Sequence, residues 1–281
     1  MSKTLSTIPQ DFQSLWDNAV SPSSEDLKVF CEALSASITS SFSEDEENRT
    51  VLRMSNIGKP ARQLWYESHR DPEPLPYALR LKFLYGHMLE ELLVLLLKMS
   101  GHSVEDQQKE HELEGIKGHQ DARVDGVLVD FKSASGRSFS KFKNHKLIDD
   151  DPFGYVGQMS AYAEADKDEE AAFIVIDKQT GEVVVMPLDK MEMIDPVGKI
   201  KYLKEMIKSD APPERCYSPV PDGQSGNLKL STSCSYCRFK FECWDDVNDG
   251  KGLRGFKYAN GIRYLTQVRK LPNVEELTPG F

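Results

Sequence analysis

One dipeptide, Asp125–Gly126, limits how this chain can fold more than any other feature. It lies between "DARV" and "VLVDF", and both residues tolerate the positive φ that a type I′ hairpin turn requires. With that dipeptide as the loop, Val124 faces Val127, Arg123 faces Leu128, Ala122 faces Val129 and Asp121 faces Asp130. Side chains alternate across a strand, so Lys132 shares the face of Asp130, and His119 that of Asp121. The β-branched alternation argues strand. Yet five charged residues between Asp121 and Lys132 exceed what strands usually carry.

Two carboxylates opposed across a ladder, roughly 5 Å apart at Cβ, repel one another. Either one of them frays into solvent, or a divalent cation between them reverses the sign of the problem. Hard cations such as Mg²⁺ or Mn²⁺ take oxygen ligands, usually one or two carboxylates with water and substrate phosphate. A lysine two residues on could orient the attacking water and steady the charge on a phosphate. That combination is the chemistry of phosphodiester hydrolysis. Asp125 reads as a turn residue and not a ligand, and His119 as a possible phosphate contact.

The surrounding chain supports an α/β (α+β-like) layer fold, with helices before and after a compact set of strands. Residues 1–50 form an N-terminal helical region, "SEDEEN" (Ser43–Asn48) reads as a solvated linker, and a long helix runs from about Pro76 to Met99. Gly101 is the expected cap of that helix. After the hairpin come a loop to Pro152, a helix over Tyr155–Ala165, a strand pair in "AAFIVIDKQTGEVVVMPLD" and a helix over about Pro196–Ser209. Residues 51–210 then make the core, 211–250 a cysteine-rich segment and 251–281 a mixed tail packing on the core.

Net charge is −10, which argues against non-specific coating of nucleic acid but not against a local site where metal or lysine overrides the global field. Two lysine-rich runs, Ser140–Lys146 and Lys199–Lys208, are either phosphate contacts or solvated faces. The first residues, "MSKTLSTIPQ", lack a signal-peptide core, and the apolar run Leu92–Leu97 is too short to span a bilayer. A cytoplasmic protein is expected. In that reducing setting, Cys216, Cys234, Cys237 and Cys243, crowded into 28 residues, point to metal before disulfide. Such thiolates suit Zn²⁺ or an iron–sulfur cluster. Cys216 is a better fourth ligand than Cys31, because the intervening residues are rich in Gly, Pro and Ser.

"GHQD…VDFKS" resembles the motif core of the PD-(D/E)XK nuclease superfamily, with Asp121 as first acid and Asp130-Phe131-Lys132 as the D/E-X-K. Other elements follow the order of its RecB-type branch, which includes CRISPR-associated and phage exonucleases. His87 in "YGHMLEELL" matches the metal-binding histidine, and shares a helix face with Glu90 and Glu91. Gln158 and Tyr162 in "GQMSAY" match Q-x-x-x-Y, and "CSYCRFKFEC" matches the C-x2-C-x5-C of iron–sulfur members. The resemblance covers about residues 51–245. One departure stands out: Pro60 in "GKPARQLWY" occupies the place of the upstream cysteine, while Arg62 and Tyr66 fit.

The resemblance implies a restriction-endonuclease-like core, a central mixed sheet flanked by helices. Metal would be held by His87, Asp121, Asp130 and the main-chain carbonyl of Phe131, with Lys132 catalytic. Gln158 and Tyr162 would position DNA or the lysine. It favours a four-iron cluster over zinc, clamping the C-terminal segment onto the core. The implied function is a metal-dependent DNA exonuclease of phage-type replication or recombination, acting on single-stranded DNA or duplex ends with a metal-activated water. Three other readings stand beside it: a structure-specific endonuclease, an inactive DNA-binding or assembly protein, and a zinc-stapled interaction domain. The N-terminal helices offer a surface for a protein partner.

Overall fold

The computed structural model describes residues 3–42, 52–71 and 75–277; the acidic stretch Ser43–Asn48 lies outside the described residues. The chain divides into two compact units, Met1–Gly58 with Pro72–Tyr202, and Lys59–Asp71 with Leu203–Phe281. Elements follow in chain order as α1 (Ile8–Asp17), α2 (Ser24–Phe42), α3 (Ala61–His69), α4 (Tyr77–Met99), β1 (Val104–Glu105), β2 (Glu110–Leu113), β3 (Ile116–His119), β4 (Ala122–Val124) and β5 (Val127–Ala134). Next come α5 (Arg137–Lys143), α6 (Tyr155–Asp166), β6 (Glu170–Asp177), β7 (Val183–Asp189) and α7 (Pro196–Ile207).

In the first unit the sheet runs β1-β4-β5-β6-β7. Strands β5 and β6 are parallel, and the other pairs antiparallel. This is the expected mixed sheet with helices around it. A parallel pair needs a long crossover, and α5 and α6 supply it. Val129 and Phe131 point to one face, where they meet Ile8 and Phe12 of α1 and Leu93, Val94 and Leu97 of α4. On the other face Phe142 of α5 stands edge-on to Phe173 of β6, centroids 5.6 Å apart. The chain from Ser135 to Pro152, expected as a loop, contains α5. That helix is under two turns long and lies in polar sequence, but its Phe139 and Phe142 are buried.

The Asp-Gly turn forms as expected, with positive φ at Asp125 (51°) and Gly126 (85°). Asp125 does more than turn the chain. Its Oδ1 accepts the Ser103 N–H at 3.0 Å, and its Oδ2 lies 2.7 Å from Nδ1 of the buried His102. A second fixed point is a backbone crossing. A Cβ added at Gly58 would sit 2.2 Å from the Gly154 carbonyl oxygen, just before α6. Backbone cannot yield as a side chain can, so Gly58→Ala is expected to destabilise the fold by about 2 kcal/mol. Urea unfolding measures this, and a midpoint equal to the wild type would contradict it.

The second unit contains α3 and a five-stranded antiparallel sheet. Its further elements are β8 (Val220–Pro221), β9 (Leu228–Lys229), α8 (Thr232–Tyr236), α9 (Lys240–Cys243), β10 (Arg254–Tyr258), β11 (Gly261–Gln267) and β12 (Glu276–Leu277). The strand order is β12-β10-β11-β9-β8. Segment Lys59–Asp71, assigned from sequence to the nuclease core, groups with these C-terminal residues. The tail expected to be mixed is largely strand. No helix among the described residues is long and apolar enough to cross a membrane.

Candidate active site

The expected register holds for three rungs, Ala122–Val129, Arg123–Leu128 and Val124–Val127. The fourth, Asp121 against Asp130, does not form. The chain leaves the ladder before β4, and the Asp121 side chain replaces the missing backbone partner: its Oδ2 accepts the Phe131 N–H at 2.7 Å. N–H and C=O of one strand residue point to the same side, so the Phe131 carbonyl is directed toward Asp121 as well. Asp130 is 1% exposed. Its Oδ1 accepts a hydrogen bond from Gln158 Nε2 at 2.9 Å, and Lys132 Nζ lies 2.6 Å from its Oδ2. On its other flank the Lys132 ammonium sits 4.8 Å from the centroid of the Tyr155 ring.

A cleft of about 390 Å³ opens between α4 and β5, lined by His87, Glu90, Asp121, Phe131, Lys132 and Tyr155, among others. His87, Asp121, Phe131 and Lys132 therefore come together as sequence suggested. Asp130 is not part of the lining; it is buried between Lys132 and Gln158. Tyr162 is also brought close but is 2% exposed, so it cannot touch a strand in the cleft. Its hydroxyl would be 2.8 Å from a Cβ at Gly118. His119 lies elsewhere, 3.7 Å from Glu110 in the β2–β3 hairpin.

Three acids share this region, Asp130 buried and Asp121 and Glu90 half-buried. Burial, then the Asp130 and Glu90 charges, pushes Asp121 well above the usual carboxylate range. Burial raises Asp130 too, against the opposing pull of Lys132. Glu90 is pushed up to about 7 by burial, then by Glu91 and Asp130. Burial alone would lower Lys132, but the charges of Asp130 and Asp121 outweigh it and hold the ammonium protonated. Crowded acids with one cation among them would gain from a further positive charge. Asp121 and Phe131, with His87 and Glu90, face one cleft that would suit a hard cation such as Mg²⁺ or Mn²⁺, whereas Asp130 is enclosed between Gln158 and Lys132. Among the described residues, no three His, Cys, Asp or Glu side chains converge closely enough to enclose an ion.

No family model and no curated protein matches the chain. Solved structures do. The chain is similar to SSO0001, at 17% identity and TM-score 0.44, over 74% of this chain and 91% of that one. It is similar to a phage-related exonuclease from Haemophilus somnus 129PT, at 15% identity and TM-score 0.36, over 56% and 89%. It is also similar to an alkaline exonuclease from Laribacter hongkongensis, at 11% identity and TM-score 0.29, over 54% and 91%.

The four clustered cysteines lie in the second unit. Cys237 and Cys243 pack against Trp65, Tyr66 and Phe239, while Cys234 and Cys243 pack against Leu230, Trp244 and Leu253. Burial raises the thiols of Cys216, Cys234 and Cys237, the last to about 11. Cys216 is exposed and the other three half-buried, and among the described residues they do not converge into a group that could hold a metal ion. Arg62 of α3 donates from Nε to Cys243 Sγ at 3.1 Å. The fit of Arg62 to the family pattern therefore has a local counterpart: α3 is tied to the cysteine segment.

Sequence reasoning did not single out Tyr155, Lys82 and Lys178, which line the same cleft. No local pattern marks them. In the lysine runs it did single out, Lys141 pairs with Asp150, Lys143 with Glu182 and Lys201 with Glu114.

Proposed function

We propose that this chain is a metal-dependent DNA nuclease of the PD-(D/E)XK kind, an exonuclease of phage-type replication or recombination. The observation that carries the reading is the contact set Gln158–Asp130–Lys132 beside Asp121, at a cleft shared with His87 and Glu90. A divalent cation held by Asp121, Asp130 and the Phe131 carbonyl, with His87 beside them, would supply Lewis-acid activation of water and charge neutralisation at the phosphate. The chain's own residues do the rest. The Phe131 N–H fixes one oxygen of Asp121, leaving the other for the cleft. Gln158 fixes Asp130, and Tyr162 backs Gln158 from the core. Lys132 balances the acids and, once their charge is otherwise met, can turn its ammonium to the phosphate, guided by the Tyr155 ring.

Linear and circular single-stranded DNA separate the readings. An exonuclease shortens the linear strand stepwise with Mg²⁺ or Mn²⁺ and leaves the circle intact. Cutting of the circle would replace this reading with the endonuclease one. Binding without cutting would leave the inactive DNA-binding protein.

The cysteines are proposed to hold a structural iron–sulfur cluster through Cys216, Cys234, Cys237 and Cys243, with Zn²⁺ as the alternative. Protein purified without oxygen should be brown, contain iron and sulfide, and lose colour in Cys216→Ser. A colourless protein with one bound zinc would overturn the cluster and keep the metal site. Four metal-free thiols would overturn both.

A further inference from the structure

Glycine is the poorest helix former after proline, yet Gly86 sits inside the 23-residue α4. Packing does not require it, because a Cβ there would meet no atom within 4 Å. The position instead lines the active-site cleft. Glycine with nothing against it, at the wall of a site, suits close approach of a ligand to backbone. Lys82 and Phe83 lie one turn earlier on the same face of α4 and line the same cleft, as does Lys178, just after β6. Phe83 is 52% exposed, which core packing does not explain. Among the described residues neither Lys82 nor Lys178 pairs with a carboxylate, whereas Lys141, Lys143 and Lys201 all do. In a chain of net charge −10, two unpaired ammoniums beside an acid-rich cleft mark a place for an anion.

We propose that Gly86 is a bare seat over which a single strand of nucleic acid passes toward Asp121 and Lys132. Phe83 stacks on a base, and Lys82 and Lys178 grip the flanking phosphates. The seat deepens the nuclease reading and rests on it for the direction of travel. Single strands are commonly held by aromatic platforms and basic residues tracking the backbone. A cleft of about 390 Å³ is of small-ligand size. Lys82, Phe83, Gly86 and Lys178 are positioning residues and take no part in bond cleavage.

The test separates the seat from the chemistry by measuring binding apart from turnover. The probe is a labelled phosphorothioate oligothymidylate of about 15 nucleotides, followed by fluorescence anisotropy with Mg²⁺ over a range of salt. Lys82→Gln and Lys178→Gln are each expected to reduce the salt slope of log affinity by about 0.7. Gly86→Leu should weaken binding and raise KM on the cleavable strand about tenfold, a modest share of a stacking and phosphate subsite. Its circular dichroism and Mn²⁺ affinity should stay as in the wild type. Gly86→Ala serves as the milder variant if the leucine disturbs folding. Unchanged salt slopes with unchanged KM, in a wild type that cleaves DNA, would overturn the seat and leave the nuclease reading standing. Equal affinity for blunt duplex would overturn the single-strand assignment. Binding that depends on these residues in a wild type that cleaves nothing would keep the seat and remove the nuclease reading.

Discussion

Asp130→Asn and Lys132→Ala are each expected to lower the turnover of single-stranded DNA by about a thousandfold or more, since each removes a group acting on the reacting phosphate or its counter-charge. Asp130 is fully enclosed, with Gln158 on one oxygen and Lys132 on the other. Asparagine keeps the shape and the Gln158 contact but removes the charge. Lys132 is the cation paired directly with Asp130, and its loss leaves that carboxylate buried with Gln158 but without a counter-charge. Removing one member of a buried pair typically costs about 3 kcal/mol or more, so circular dichroism must accompany the kinetics. Single-turnover cleavage on folded protein is the measurement. A rate within a few-fold of wild type for either variant would remove this contact set from the mechanism. His87→Ala, by contrast, should chiefly weaken metal affinity, so that excess Mn²⁺ restores part of the rate.

Without added metal, the protein should lose stability as pH rises from about 4.5 to 7, and Glu90 should be a main cause. Its carboxyl is pushed from an ordinary 4.5 up to about 7, first by burial and then by Glu91 and Asp130. A folded-state pKa above the unfolded one means that folding favours the protonated acid. That stabilisation is fully present below about 4.5 and is lost as pH passes through 7. At 1.36 kcal/mol per tenfold change in affinity for the proton, the difference is about 3 kcal/mol. Glu90→Gln mimics the protonated acid, so its stability curve should lack this fall. Urea unfolding of both proteins in EDTA, from pH 4.5 to 8, reads the effect. Parallel curves would show that Glu90 is solvated and ionised at all these pH values. Added Mg²⁺ should flatten the wild-type curve.

The hairpin register was legible because an Asp-Gly turn leaves little freedom, and each strand residue then follows by counting. The same logic located β6, β7 and α6, whose apolar runs are long and cleanly bounded. The fourth rung was not legible. Whether a strand continues past Ala122 depends on the preceding β2–β3 hairpin, which no local pattern announces. Asp121 still reaches the site, through the Phe131 N–H instead of by opposing Asp130. Tyr162 shares a helix face with Gln158, as the sequence spacing implies, but its depth depends on Gly118 lying against it, a long-range contact. Lysines fared worst. Lys141 and Lys143 belong to a run that stands out in sequence and end up ion-paired, whereas Lys82 and Lys178 are isolated in sequence and meet only in the fold. The C-terminal strands were missed because most are two residues long and owe their pairing to neighbours rather than to their own periodicity.

The most direct measurement is cleavage of an end-labelled single strand by purified protein with Mg²⁺, with Mn²⁺ and with EDTA, resolved as a product ladder. The account predicts stepwise shortening with either metal, none in EDTA, and none with Asp130→Asn. An intact strand in all metal conditions, or equal shortening in EDTA, would contradict it.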